Sequence, residues 1–296
     1  SIVSQFFDYQ FRPLEKLYST IGFRSDDHTT VGRKTSGRGT VAYQLDGNSK
    51  IRSSLGSGVR FPALYDYKFG GSTIVDKGGW LEELQSERGH SFDIGYDTYI
   101  DNLDLGLSMT FFKTEQKNSL KSDSRSGWVV RNNTGVNTSE GVEISSKWKP
   151  TNKKYGLGFG YTFTDSFDAN TCDEREKASS SDNECRHSGS AVDTAKVRVP
   201  RHAVQARFDY SFFPNLKSSL KGKYIGETRD FGNSNDSWTD QILTDYFVFD
   251  LATSYEIFDG YNLSFGINNI FDEQYQQAHE YSAPERNMNV SLRKIY

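Results

Sequence analysis

Three groups of residues have the types and spacing to do chemistry. Asp26, Asp27 and His28 stand in a row, a set that could hold a divalent metal or supply two members of a hydrolytic triad. Cys172 and Cys185 lie in "TCDEREKASSSDNECRHSG", among Asp173, Glu174, Glu184 and His187. Their spacing matches no zinc signature. A disulfide pinning a loop in an oxidising compartment is therefore favoured over a metal site. The third group, "GLGFG" at 156–160, has the glycine content of a phosphate loop. No helix pattern follows it and its glycines recur every second residue, so it reads as one face of a strand. His28, His90, His187, His202 and His279 are scattered, and none sits in a nucleophile motif. Catalysis is not expected, and neither is a resident metal or cofactor. The Asp26 row then reads as polar residues at the rim of a strand.

The elements that carry these residues are strands. "YGLGFGYTFT" (155–164) places Tyr155, Leu157, Phe159, Tyr161 and Phe163 on one side, with only glycine and threonine between them. Leu103 to Phe111, Ile51 to Val59, Val204 to Phe212, Phe247 to Ile257 and Tyr261 to Ile267 repeat the two-residue period. Each run is about ten residues, the length of a tilted strand crossing a bilayer. The chain is 14% aromatic, yet its mean hydropathy is only -0.69. It has no run near the roughly 18 apolar residues of a spanning helix. A membrane barrel reconciles these numbers, because half of each strand faces a polar lumen and the loops are polar. A net charge of -4 gives no reason to expect nucleic-acid binding.

Connections alternate in length. Tight turns rich in Gly, Pro, Asn and Asp fall at 12–15, 46–48, 101–102, 150–153, 213–215 and 258–260. Between them come long polar stretches near 25–36, 59–88, 116–137, 166–198, 231–244 and 271–285. "LEELQSE" (81–87) has the pattern of a short helix within one of these. Short turns on one rim and long loops on the other describe an outer-membrane barrel better than a soluble sandwich. About thirteen strands are expected. Bacterial single-chain barrels have an even number, so the early part of the barrel is expected to lie outside these 296 residues.

Several segments resemble the TonB-dependent outer-membrane transporters. "INNIFDEQY" (267–275) is similar to that family's N-x-F-D-x-x-Y segment, and "YSAPERNMNVSLRKIY" (281–296) to its Y-x-x-P-x-R run and aromatic-ended last strand. "IGFRSDDHT" (21–29), "SLGSGVRFPALYDY" (54–67) and "RVPRH" (198–202) follow the family's order and spacing. "DDH" with "VPRH" resembles vitamin B12 receptors and small siderophore receptors in particular.

The resemblance implies an all-β, antiparallel transmembrane barrel domain over 1–296, forming about 13 C-terminal strands of a barrel of about 22. It implies a monomeric receptor that takes up a scarce, large nutrient, cobalamin or a ferric siderophore. The TonB complex would act through a plug outside this sequence, and the surroundings would be lipopolysaccharide. Tyr296 would be part of the signal read by the barrel-assembly machinery, although Lys294 departs from the alternating apolar pattern. Substrate contacts are expected from Arg60, Tyr65, Tyr67, Trp80, Trp128 and Trp238, large aromatic or Arg side chains in or beside the long loops. A passive porin or structural barrel, and a soluble β-rich adhesin, are the alternative readings.

Overall fold

The structure is a computed structural model. It describes residues 1–63, 85–123, 129–132, 136–151, 153–170, 192–234 and 237–294. One antiparallel sheet dominates. Its thirteen-strand path runs β1 (Ile2–Leu14), β2 (Leu17–His28), β3 (Gly32–Gln44), β4 (Ser49–Arg60), β5 (Glu87–Ile100), β6 (Leu105–Lys117), β9 (Val136–Trp148), β10 (Tyr155–Asn170), β12 (His202–Phe213), β13 (Leu216–Ile225), β16 (Tyr246–Phe258), β17 (Tyr261–Asn268) and β20 (Asn287–Lys294). The short strand β11 (Val192–Ala195) pairs with the outer end of β10. Three hairpins stand apart in the long connections: β7 (Leu120–Asp123) with β8 (Val129–Asn132), β14 (Thr228–Ser234) with β15 (Ser237–Leu243), and β18 (Gln276–Ala278) with β19 (Tyr281–Ser282). Each strand of the path pairs with its neighbour in the chain's order, and β1 is not paired with β20 among the described residues.

The described residues form no apolar core. Among the described residues the buried hydrophobic side chains are Leu243, Tyr246 and Val248, whereas Phe159, Met109, Leu55 and Phe23 are 45–63% exposed. Register explains this inversion. Tyr155, Leu157, Phe159, Tyr161 and Phe163 face the same way as Tyr210, Phe208, Ala206, Val204 and His202 on β12. On β9 they meet Trp148, Ser146, Ile144 and Val142. The opposite face carries Gly156, Gly158, Gly160, Thr162 and Thr164, in register with Gln205, Arg207, Ser145 and Lys147. A soluble sandwich buries its apolar face against a second sheet. No second layer covers this face, as a lipid-facing wall requires.

The apolar band has a measurable height. On its face Phe111 is followed by Lys113, Val142 gives way to Glu140, and Phe163 gives way to Asp165. Beyond that line the same face carries ion pairs, Lys113 to Glu140 at 3.3 Å and Arg201 to Asp165 at 2.8 Å. From Tyr155 to Phe163 the strand runs roughly 26 Å along its own axis, which at a tilt of about 40° covers about 20 Å of an apolar band about 25 Å tall, the flanking aromatic residues completing it. β10 continues to Asn170, 16 residues in all, so its outer end stands above the band. At the opposite edge Trp148 packs on Tyr155 with ring centroids 5.5 Å apart, and Tyr210 meets Phe212 at 4.8 Å. This is the aromatic girdle that an interface favours. Lys294 falls on the same face at that edge, its ammonium 5.3 Å from the centre of the Tyr261 ring. A lysine there covers apolar surface with its stem and keeps its charge at the interface.

One expectation is corrected, and another falls mostly outside the described residues. The polar stretch at 25–36 is not a long loop: β2 runs to His28 and β3 begins at Gly32, leaving a three-residue turn. Of the helix expected at 81–87, residues 81–84 lie outside the described residues, and Glu87 opens β5.

The short turns are held by carboxylates. Asp46 accepts the backbone N–H groups of Asn48 and Ser49 at 2.8 and 2.7 Å. Asp104, at φ 51°, accepts the N–H of Thr151 from the neighbouring turn at 2.9 Å. The N–H of Asn48 chiefly holds the Asp46 carboxyl below its usual range, and that of Thr151 does the same for Asp104. A depressed folded value means that this stabilisation is complete above the unfolded value of about 4. It fades as pH falls through the folded value. We therefore expect acidification into that range to lower the protection factors of the Asn48 and Thr151 amides, each rate taken relative to its intrinsic value at that pH, and Asp104→Ala to do so at neutral pH for Thr151 alone. Hydrogen exchange on the assembled protein reads both.

Candidate functional site

The inner face of the sheet is built from long side chains laid over glycines. On β3, Arg38 lies opposite Gly22, which lies opposite Asp8 on β1. A Cβ on Gly22 would come within 3.0 Å of the Arg38 side chain. Without it the guanidinium crosses β2 and pairs with Asp8. The device recurs on β4, where Arg52 lies over Gly95 of β5 and donates to Thr110 of β6 at 2.6 Å. Arg52 also donates to Asp97 at 3.0 Å, and Ser108 donates to the other oxygen of that carboxylate at 2.6 Å. Asp8, Asp93 and Asp97 are thus paired with Arg38 and Arg52 across the strands.

The other half differs. One row of the register runs Lys147, Gly158, Arg207 and Lys221, placing three cations side by side across β9, β10, β12 and β13. Arg207 is paired with Asp209 of its own strand at 2.8 Å. Among the described residues, no carboxylate oxygen lies within 4 Å of the ammonium groups of Lys147, Lys217 or Lys221. Asp250 of β16 stands opposite Lys221 in the register, and Lys147, Arg207, Lys217 and Lys221 outnumber the carboxylates Asp209 and Asp250 in this stretch of the inner face.

At the loop-bearing rim, buried polar groups tie connections together. Glu87 is only 4% exposed; one of its oxygens accepts from Arg60 at 2.8 Å and the other from the N–H of Leu120 at 2.8 Å. This joins the ends of β4 and β5 to the β7–β8 hairpin. Asp230 is 1% exposed, with Nε of Arg198 at 3.0 and 2.9 Å from its two oxygens and the N–H of His279 at 2.7 Å. Asn269 is 3% exposed; it donates from its side chain to the carbonyl of Glu273 and from its N–H to Asp250, both at 2.9 Å. Asp272, in the same segment, accepts the N–H of Arg286 at 2.7 Å. The two motifs near the C-terminus thus fold onto each other. Tyr275 stacks on Tyr246 with centroids 4.1 Å apart, and burial pushes its phenol above the usual value.

Of the expected contact residues, Arg60 is the one whose side chain is described. Its guanidinium is two-thirds exposed beyond the bond to Glu87. Trp238 lies on β15 opposite Asn233, and its side chain is outside the described residues. Tyr65, Tyr67, Trp80, Trp128, Cys172, Cys185 and Tyr296 lie outside them altogether. In the Asp26 row, Asp26 accepts from Arg24 at 2.9 Å and from Ser4 at 2.6 Å, while Asp27 pairs with Arg33 at 3.3 Å. His28 accepts the N–H groups of Thr30 and Val31 and stacks on Phe61. The row is a strand end and a turn cap.

The chain is similar in fold to solved siderophore and iron receptors. Against the ferripyoverdine receptor of the outer membrane of Pseudomonas aeruginosa the TM-score is 0.72 at 16% identity, over 99% of this chain and 38% of that one. For the ferric-catecholate import receptor Fiu of E. coli K12 the values are 0.73, 15%, 99% and 44%. For the FrpB iron transporter of Neisseria meningitidis (F5-1 variant) they are 0.74, 17%, 98% and 45%. The chain therefore spans less than half the length of the structures it matches. No curated protein sequence matches it. The family model described as TonB dependent receptor-like, beta-barrel matches residues 2–270, and the chain belongs to that family.

Proposed function

We propose that this chain forms much of the wall and mouth of an outer-membrane receptor that binds a ferric siderophore and imports it with TonB-supplied energy. The carrying observation is the two-sided wall: an apolar band outside, a polar lining inside, and all the long connections at one rim. The role is capture and passage, without catalysis. Among the nutrients the sequence suggested, a ferric siderophore fits better than cobalamin for an electrostatic reason. The cations of Lys147, Lys217 and Lys221 lack carboxylate partners among the described residues, and a positively lined passage raises the local concentration of an anionic chelate.

The test is uptake of radioactive iron by cells expressing the full-length receptor, supplied with a panel of ferric siderophores and, separately, labelled cobalamin. TonB-dependent accumulation of at least one ferric siderophore is expected. Uptake of cobalamin alone would overturn the substrate, and uptake independent of TonB would favour a passive pore. Lys147→Glu with Lys221→Glu should lower uptake of an anionic chelate on the order of tenfold and leave a neutral one unchanged. Equal effects on both would remove the electrostatic argument.

A further inference from the structure

Asp230 is the most deeply buried charged side chain among the described residues, at 1% exposure, and it touches three separate connections at the rim. It belongs to the β14–β15 hairpin. Arg198, which holds both its oxygens, comes from the segment between β11 and β12, 32 residues earlier. His279, whose N–H points at Oδ2, comes from the β18–β19 hairpin, 49 residues later. Backbone contacts reinforce the first link: the Arg198 N–H donates to the Arg229 carbonyl at 2.8 Å, and Arg229 donates to the Ala195 carbonyl at 3.1 Å. Arg198 sits at φ 61° and Glu280, next to His279, at φ 66°. Non-glycine residues take that conformation at a cost, and hold it where surrounding bonds require it.

We propose that Asp230 is a positioning residue for ligand capture, clamping three connections into one unit that forms part of the mouth. The proposal rests on the receptor reading for its consequence, and on geometry alone for the clamp. A carboxylate is the side chain this position needs. It offers acceptors on both oxygens, so it can take the guanidinium and the N–H together. Asparagine has the same shape but one acceptor. With its oxygen at the Oδ2 position it would still accept the His279 N–H, while its NH2, in place of Oδ1, would face the Nε–H of Arg198, so the guanidinium link is the one weakened; alanine removes both links.

The experiment uses the full-length receptor in detergent, comparing wild type with Asp230→Ala, which removes both links, and with Asp230→Asn and Arg198→Ala, which spare the His279 link. Ligand-free hydrogen exchange at 192–200, 228–234 and 276–283 is read by mass spectrometry, and affinity for the imported ferric siderophore is measured on the same samples. Asp230→Ala should speed exchange in all three segments by at least about tenfold, the factor that one lost charge-assisted hydrogen bond corresponds to, and Asp230→Asn chiefly at 192–200 and 228–234. β12 and β13 should be unchanged. Arg198→Ala should reproduce the asparagine result, because it removes the same guanidinium link. Affinity should fall about tenfold or more, while uptake at saturating ligand is retained. Faster exchange at 228–234 alone, or nowhere, overturns the clamp. Faster exchange in all three with unchanged affinity overturns the positioning role. If the wild type binds no ferric siderophore, the receptor reading fails, and the exchange data still decide the clamp.

Discussion

Gly141→Val should abolish the assembled barrel. Gly141 is buried on the inner face of β9, in register with Phe112 of β6 and Thr164 of β10. A Cβ built on it would fall far inside van der Waals contact distance of the Phe163 carbonyl oxygen and 2.8 Å from the tip of the Phe112 ring. The ring can rotate away, but the carbonyl belongs to the neighbouring strand and moves only if the β9–β10 ladder opens. Overpacking against flexible side chains costs about 1–3 kcal/mol; a clash with ladder backbone exceeds that and approaches a domain's whole margin of stability. We expect loss of the folded band in heat-modifiability electrophoresis of outer-membrane fractions. Gly160→Ser, at a position with no atom within 4 Å of a new Cβ, should assemble normally. Normal yield for Gly141→Val would mean that the β6–β9–β10 packing is wrong.

Phe159→Arg is the second large effect, and it acts through the solvent and not through packing density. Phe159 is midway along the apolar face of β10, 45% exposed and flanked in register by Ser146 and Ala206. Small neighbours leave its ring facing outward. An arginine at the midplane of a lipid-facing strand costs about 2–4 kcal/mol. In a soluble protein the same exposed position would accept arginine within about 0.5 kcal/mol. Phe159→Leu is the control that keeps the apolar surface. The expected result is a lower urea midpoint of unfolding from lipid vesicles for arginine only. Equal midpoints for the two variants would place this face in water.

Much of this architecture was legible because the two-residue period is strict wherever one face meets lipid. The strands around Tyr155, Val204, Phe247 and Tyr261 could be placed from alternation alone. The signal ends where the apolar band ends. Above it both faces meet water, and "SDDHTTVGRKTS" (25–36) reads as a loop although most of it continues β2 and β3. The hairpin pairing Thr228–Ser234 with Ser237–Leu243 was hidden for the same reason.

Residues of the candidate site were legible by type but not by partner. Arg60 could be marked as a long cation near a loop, yet Glu87 stands 27 positions away and the intervening segment shows no pattern that would join them. Asp230 stood beside a polar stretch that looked solvated. Its burial depends on Arg198 and His279, which come from other connections, and sequence spacing does not encode that meeting. The glycines beneath Arg38 and Arg52 are similar: Gly22 and Gly95 fit the alternation, but their function is set by the cross-strand register.

The most direct test of the account is a spin-label scan of 155–164 in the full-length receptor, reconstituted in lipid. Collision rates are measured with oxygen, which concentrates in the bilayer, and with a water-soluble nickel chelate. The account predicts high oxygen accessibility at 155, 157, 159, 161 and 163, and nickel accessibility or tight packing, without oxygen, at the even positions. A scan without two-residue alternation, or with nickel reaching the odd positions, would contradict it.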